Sequence, residues 1–161
     1  MIRLARLCTP TIVVGLVMVL AAGSASAQSS DAFDGAWKLN LAKSTYSPGP
    51  APQSVTLTNE GTDAARKITV DVTPATGGSQ HYSVSGPTGK ELPVVGTNPN
   101  ADVYVLKRIN GTTLEVQYMK GGKPTLKQTA VVSADGKTLT VTASGTDAQG
   151  QTVHNVAVYS K

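Results

Sequence analysis

Cysteine is almost missing from this chain: Cys8 is the only one, and it falls in a leader that the first residues mark for removal. What remains can have no disulfide, no thiolate nucleophile and no cysteine-ligated metal. Histidine is scarce too, with only His81 and His154, far apart and each set among ordinary strand residues. No cluster of histidines and carboxylates has metal-ligand spacing. No Gly-x-Ser-x-Gly elbow or phosphate-cradling glycine loop is present. Charged residues make up 15% of the chain and are interspersed by sign. The pairs Arg66-Lys67 and Lys107-Arg108 fall at strand ends, where solvated charge accounts for them. Without a basic stripe interleaved with aromatics there is no nucleic-acid footprint. We therefore assign no catalytic residue, metal or cofactor, and do not expect an enzyme.

Long apolar runs are also lacking, apart from Ile12 to Ala22, which is shorter than a membrane span. Arg3 and Arg6 precede it and the small-x-small site Ala25-Ser26-Ala27 follows it, the pattern of a cleaved signal peptide. Residues 1–27 are expected to be removed, leaving residues 28–161 as one domain that starts at Gln28 and resides in the periplasm or outside the cell. Cys8 precedes the apolar stretch where a lipidated cysteine should follow it, so no lipid anchor is expected. Loss of Arg3 and Arg6 lowers the formal net charge of +4 by two. A mature chain of about 130 residues can bury roughly two-thirds of its unfolded surface and needs no covalent staple.

What the chain does have is a rhythm. Short apolar/polar alternations are punctuated by Ala75-Thr76-Gly77-Gly78, Gly86-Pro87-Thr88-Gly89, Asn98-Pro99-Asn100, Asn110-Gly111, Gly121-Gly122, Asp135-Gly136 and Asp147-Ala148-Gln149-Gly150. This is an all-β, antiparallel up-and-down meander, which removes its edges best by closing into a barrel. About 8–10 strands are expected and no helix. Trp37, Leu39 and Leu41 share one face of the first strand. The clean inner sets that follow are Val55 and Leu57; Ile68, Val70 and Val72; Tyr82 and Val84; Leu114, Val116 and Tyr118; and Leu139, Val141 and Ala143. His81 lies on the opposite face, with Ser83 and Ser85. Between Lys43 and Gln53, the prolines at 48, 50 and 52 predict an extended strap. Residues 28–34 are polar and expected to fray.

Three strands leave their inner face open. Asp102 to Arg108 can bury Val103 and Val105, or Tyr104 and Leu106. Pro124 to Val132 favours Leu126, Ala130 and Val132, which turns Gln128 inward. The last strand offers either Val153, Asn155, Ala157 and Tyr159, or His154, Val156 and Val158. Asn110-Gly111-Thr112 matches a glycosylation sequon, but its place between two alternating runs reads as a type I′ hairpin turn with positive φ angles.

The Gly35-Ala36-Trp37 opening, the meander and the closing Val158-Tyr159-Ser160-Lys161 resemble the lipocalin and fatty-acid-binding (calycin) barrels. The stretches Trp37 to Ser44 and Asn98 to Asp102 resemble a group of small exported bacterial proteins of this type, to which no function is attached. The resemblance implies a barrel with an apolar interior, in which Lys161 is the late basic residue that packs over Trp37. Two features depart from the fatty-acid-binding pattern. The proline strap replaces the helical lid, and Ala157 stands where an inward arginine anchors a carboxylate.

More than eight closed strands leave space that inward Val, Leu and Ala cannot fill. We expect the barrel to bind one small apolar or amphipathic molecule. Trp37 is the expected base plug and, with Tyr82, Tyr118 and Tyr159, a candidate ligand contact. Loss of the ligand's carboxylate should cost little, given Ala157. The expected state is a monomer with no membrane anchor. The alternative is a filled barrel or sandwich of the cell envelope whose exposed faces bind another protein or a polymer.

Overall fold

The computed structural model describes residues 31–161, so the leader assigned to residues 1–27 and the Gln28 start lie outside the described residues. Eleven strands follow in order: β1 (Gly35–Leu39), β2 (Ser54–Thr62), β3 (Ala65–Thr73), β4 (Gln80–Gly86), β5 (Glu91–Pro93), β6 (Val95–Gly96), β7 (Val103–Asn110), β8 (Thr113–Lys120), β9 (Lys123–Val132), β10 (Thr138–Thr146) and β11 (Thr152–Ser160). They form one antiparallel sheet in the order β5-β7-β8-β9-β10-β11-β1-β2-β3-β4-β6. β1 pairs with both β2 and β11, so the first and last strands meet inside the sheet.

The remaining gap, between β4 and β7, is spanned by one short segment. Its first half, β5, pairs with β7 through Leu92↔Tyr104, and its second half, β6, pairs with β4 through Tyr82↔Gly96. Residues 91–96 thus behave as one bent strand shared between two edges, and the sheet becomes a nearly closed barrel. These two short strands carry the count past the expected eight to ten. Two or three residues are too few for alternation to register in the sequence.

The expected inner faces are the buried ones. The three open strands resolve to Tyr104 and Leu106 on β7, to Leu126 and Val132 on β9, and to Val153, Ala157 and Tyr159 on β11. β1 stops at Leu39, and Leu41 lies in a short 3-10 turn, Leu41–Lys43, where it is 44% exposed. The Asn40 side chain caps this turn by accepting from Lys43 N. Beyond the turn, the strap takes β1's place beside β11: Thr45 pairs with Val156, and Ser47 O accepts from His154 N at 2.7 Å.

Three local expectations are corrected. The β7–β8 hairpin forms at Asn110-Gly111, but neither residue has positive φ, so the turn is not type I′. The register shifts between Arg108 and Asn110, and Asn110 Oδ1 accepts from Thr112 N at 3.0 Å, so a side-chain turn replaces the backbone one. Positive-φ pairs occur instead at Gly77-Gly78, between β3 and β4, and at Gly121-Gly122, between β8 and β9. The segment Asp31–Asp34 does not fray: Phe33 is 1% exposed, and Asp31 is paired with Arg66 and Arg108. Arg66 and Arg108 are therefore not solvated charge. Each is the inward member of its pair, with Lys67 and Lys107 exposed.

Along β3 the inner residues run Val72, Val70, Ile68, Arg66 from one end of the barrel to the other, and the two ends differ. Around Arg66 the interior is filled by Phe33, Trp37, Leu106 and Leu139, each almost without exposure. Around Val72 it is hollow.

Candidate functional site

The hollow end holds a partly open cavity of about 240 Å³. Its apolar wall comes from successive inward positions of the meander: Val55 and Leu57 on β2, Val70 and Val72 on β3, Leu126 on β9, Val141 and Ala143 on β10, and Ala157 on β11. Side chains of modest size at these positions cannot meet across a barrel of this girth. Period-two alternation brings polar groups into the same space, namely Gln80 and Tyr82 on β4, Tyr118 on β8, Gln128 on β9, and Asn155 and Tyr159 on β11. Tyr46 and Pro52 of the strap and Asn98, Pro99 and Asn100 of the β6–β7 loop complete the lining. None of these residues carries a charge.

Two of the lining tyrosines, Tyr82 and Tyr118, pack against a third, Tyr104, which is not itself in the lining. Tyr104 and Tyr118 stack with ring centroids 4.1 Å apart and planes at 15°. Tyr82 meets Tyr104 edge-on at 6.4 Å and 74°. The β7–β8 register sets Tyr104 opposite Tyr118. Tyr104 is also anchored to the loop, because Asn98 Nδ2 donates to its hydroxyl at 2.8 Å. Asn98 Oδ1 accepts from Asn100 N at 2.9 Å, and Thr125 Oγ1 donates to Asn100 O at 2.9 Å. These bonds hold the loop against the cavity's rim.

Burial pushes the phenols of Tyr82, Tyr104, Tyr118 and Tyr159 above the ordinary tyrosine value, Tyr104 and Tyr118 most clearly. They stay protonated and able to donate at any physiological pH.

Of the four candidate contacts, Tyr82, Tyr118 and Tyr159 are brought together in the cavity wall, while Trp37 lies elsewhere. Trp37 is fully buried in the filled end, where its Nε1 donates to Phe33 O at 2.8 Å. Lys161 Nζ sits 4.2 Å from the centroid of its ring, the position implied by the resemblance. Beside it, Asp31 Oδ2 accepts from Arg66 Nη2 at 2.7 Å and also from Arg108 Nη2, and Arg108 Nη2 reaches Asp63 Oδ1 at 2.9 Å. Arg108 lies 5.1 Å over the Phe33 ring. These charges neutralise one another and brace the filled end.

Tyr46, Asn98, Gln128 and Asn155 are lining residues that sequence reasoning did not single out. Gln128 and Asn155 had a signal, since each is in phase with an apolar inner set. Tyr46 and Asn98 lie outside regular strands and had none. His81 is on the outer face, where its Nδ1 lies 2.7 Å from Asp71 Oδ1 with both side chains exposed. Among the described residues, no three His, Cys, Asp or Glu side chains are grouped to hold a metal.

No family model matches this chain, and no curated protein sequence does. Among solved structures, it is similar to the zebrafish ileal bile acid-binding protein complexed with cholic acid. The identity is 15% and the TM-score 0.48, over 81% of this chain and 98% of that one.

Proposed function

We propose that the protein is an exported, non-enzymatic binding protein that holds one small apolar or amphipathic molecule in the hollow end of its barrel. The observation that carries this reading is the division of one interior into a braced end and an uncharged cavity of about 240 Å³. A barrel serving only as a scaffold has no need of such a space, since close packing is the ordinary condition of a protein interior. Apolar walls with a few convergent polar groups are the usual make-up of a small-molecule site. Tyr82, Tyr118 and Tyr159 are the proposed contacts, with Trp37 bracing the end that holds the barrel together. The lining holds no His, Cys, Lys, Arg, Asp or Glu, and burial moves its tyrosine phenols further from neutral pH. This favours binding over chemistry, because general acid–base and nucleophilic steps draw on groups with accessible pKa values. Native mass spectrometry of the protein purified from its own host tests the reading. A small-molecule adduct that disappears on denaturation is expected. A stoichiometric protein or polymer partner on an adduct-free barrel would favour the envelope interaction protein instead.

A further inference from the structure

The cavity's polar groups are all neutral, and that limits what can bind there. Every hydrogen-bonding side chain in the lining is Tyr, Asn or Gln. The interior cations belong to the other end. Arg66 is four residues along β3 from Val70, the deepest lining position on that strand, which is roughly 13 Å at the strand rise. It is also already bonded to Asp31. A ligand carboxylate in the cavity would lose its water without gaining a counter-ion, a strongly unfavourable exchange. A hydroxyl or carbonyl would fare differently. The phenols of Tyr82, Tyr118 and Tyr159 are protonated donors at neutral pH, and burial moves them further from ionisation; Gln128 and Asn155 can donate or accept.

Size is the second constraint. A cavity of about 150 Å³ takes one benzene molecule, so 240 Å³ suits a single substituted ring. It falls short of the ~300–1,000 Å³ typical of sites for larger ligands. Tyr118, held by its stacking on Tyr104, brings one aromatic ring to the cavity wall.

We propose that the cavity selects an uncharged molecule of about one ring, bearing hydroxyl or carbonyl oxygen, and discriminates against carboxylates and long acyl chains. This rests on the binding reading above.

The test is competition against a solvatochromic apolar dye at neutral pH. The competitors are para-hydroxyacetophenone, its size-matched anion para-hydroxybenzoate, and palmitate. The neutral ring should displace the dye at least about tenfold more tightly than the anion, with palmitate weaker than the neutral ring. Tyr118→Phe, checked for folding by its melting curve, should weaken the neutral ring about three- to tenfold, the worth of one hydrogen bond. Gln128→Arg, which supplies the missing cation, should reverse the preference toward para-hydroxybenzoate. Equal or tighter binding of the anion by the unmodified protein would overturn the charge selection and leave the binding reading standing. Displacement by palmitate alone would overturn the size limit in the same way. If neither the dye nor any competitor binds, both this inference and the binding reading fall.

Discussion

Lys161 Nζ and the Trp37 ring centroid are 4.2 Å apart, so the last residue of the chain covers the tryptophan of its first strand. At the ring's edge, the Phe33 carbonyl accepts the indole N–H. The indole is thus buried with its one polar atom satisfied, at the place where β1 joins β11 to β2. Trp37→Ala should destabilise the fold by about 3–5 kcal/mol in urea denaturation, as large core truncations do. A loss below about 0.5 kcal/mol, the surface range, would contradict this placement. Lys161→Met should cost only about 0.5–1 kcal/mol, the worth of an exposed cation over a ring.

Asp31 should make the filled end sensitive to acid. Burial works against its ionisation, but the Phe33 N–H, the Arg66 charge and the Arg108 hydrogen bond together hold its carboxyl below the ordinary value of 3.8. A carboxylate depressed in the folded state contributes stability above its unfolded pKa and loses it as pH falls through the folded pKa. Asp31→Asn should therefore lower the melting temperature at neutral pH, and the gap from the unmodified protein should close below the ordinary aspartate value. A gap that stays constant into acid would show that the carboxylate's charge does not matter.

Gly96 controls the seam. Its φ is +103°, and a Cβ placed there would meet His81 O at 2.2 Å and Tyr82 Cα at 2.9 Å. Only a residue without a side chain lets β6 approach β4 this closely. Gly96→Val should break that short ladder and speed hydrogen exchange at Thr97 N, which donates to His81 O, while β10 and β11 keep their protection. Unchanged exchange at Thr97 would mean that the seam does not depend on this contact.

The architecture was legible because β2, β3, β8 and β10 each carry a clean two-residue period, and strong turn signals follow β3, β8 and β10. The filled end was partly legible: Gly35-Ala36-Trp37 and Lys161 pointed to each other across the length of the chain. Arg66 and Arg108 were misread because paired charges at strand ends usually face water. Their phase with Ile68 on β3 and with Leu106 on β7 held the contrary signal. Phe33 was hidden in a polar run, and its burial depends on those same arginines. The cavity followed only in outline. Tyr82, Tyr118 and Tyr159 were in phase with apolar neighbours, whereas Tyr46 and Asn98 reach the lining from segments with no period. The seam at residues 91–96 depends on two edges far apart in sequence, and no local pattern encodes that.

Whether the hollow end binds a ligand is tested most directly by titrating an environment-sensitive apolar dye into the unmodified protein and into Ala143→Phe. Ala143 is buried and lines the cavity, so a phenyl group there should fill the space without touching the braced end. The unmodified barrel should bind the dye saturably at about one per chain, and the filled variant should melt normally yet bind at least about tenfold more weakly. Dye binding that never saturates, or that survives unchanged in a folded Ala143→Phe protein, would contradict a binding site in the cavity.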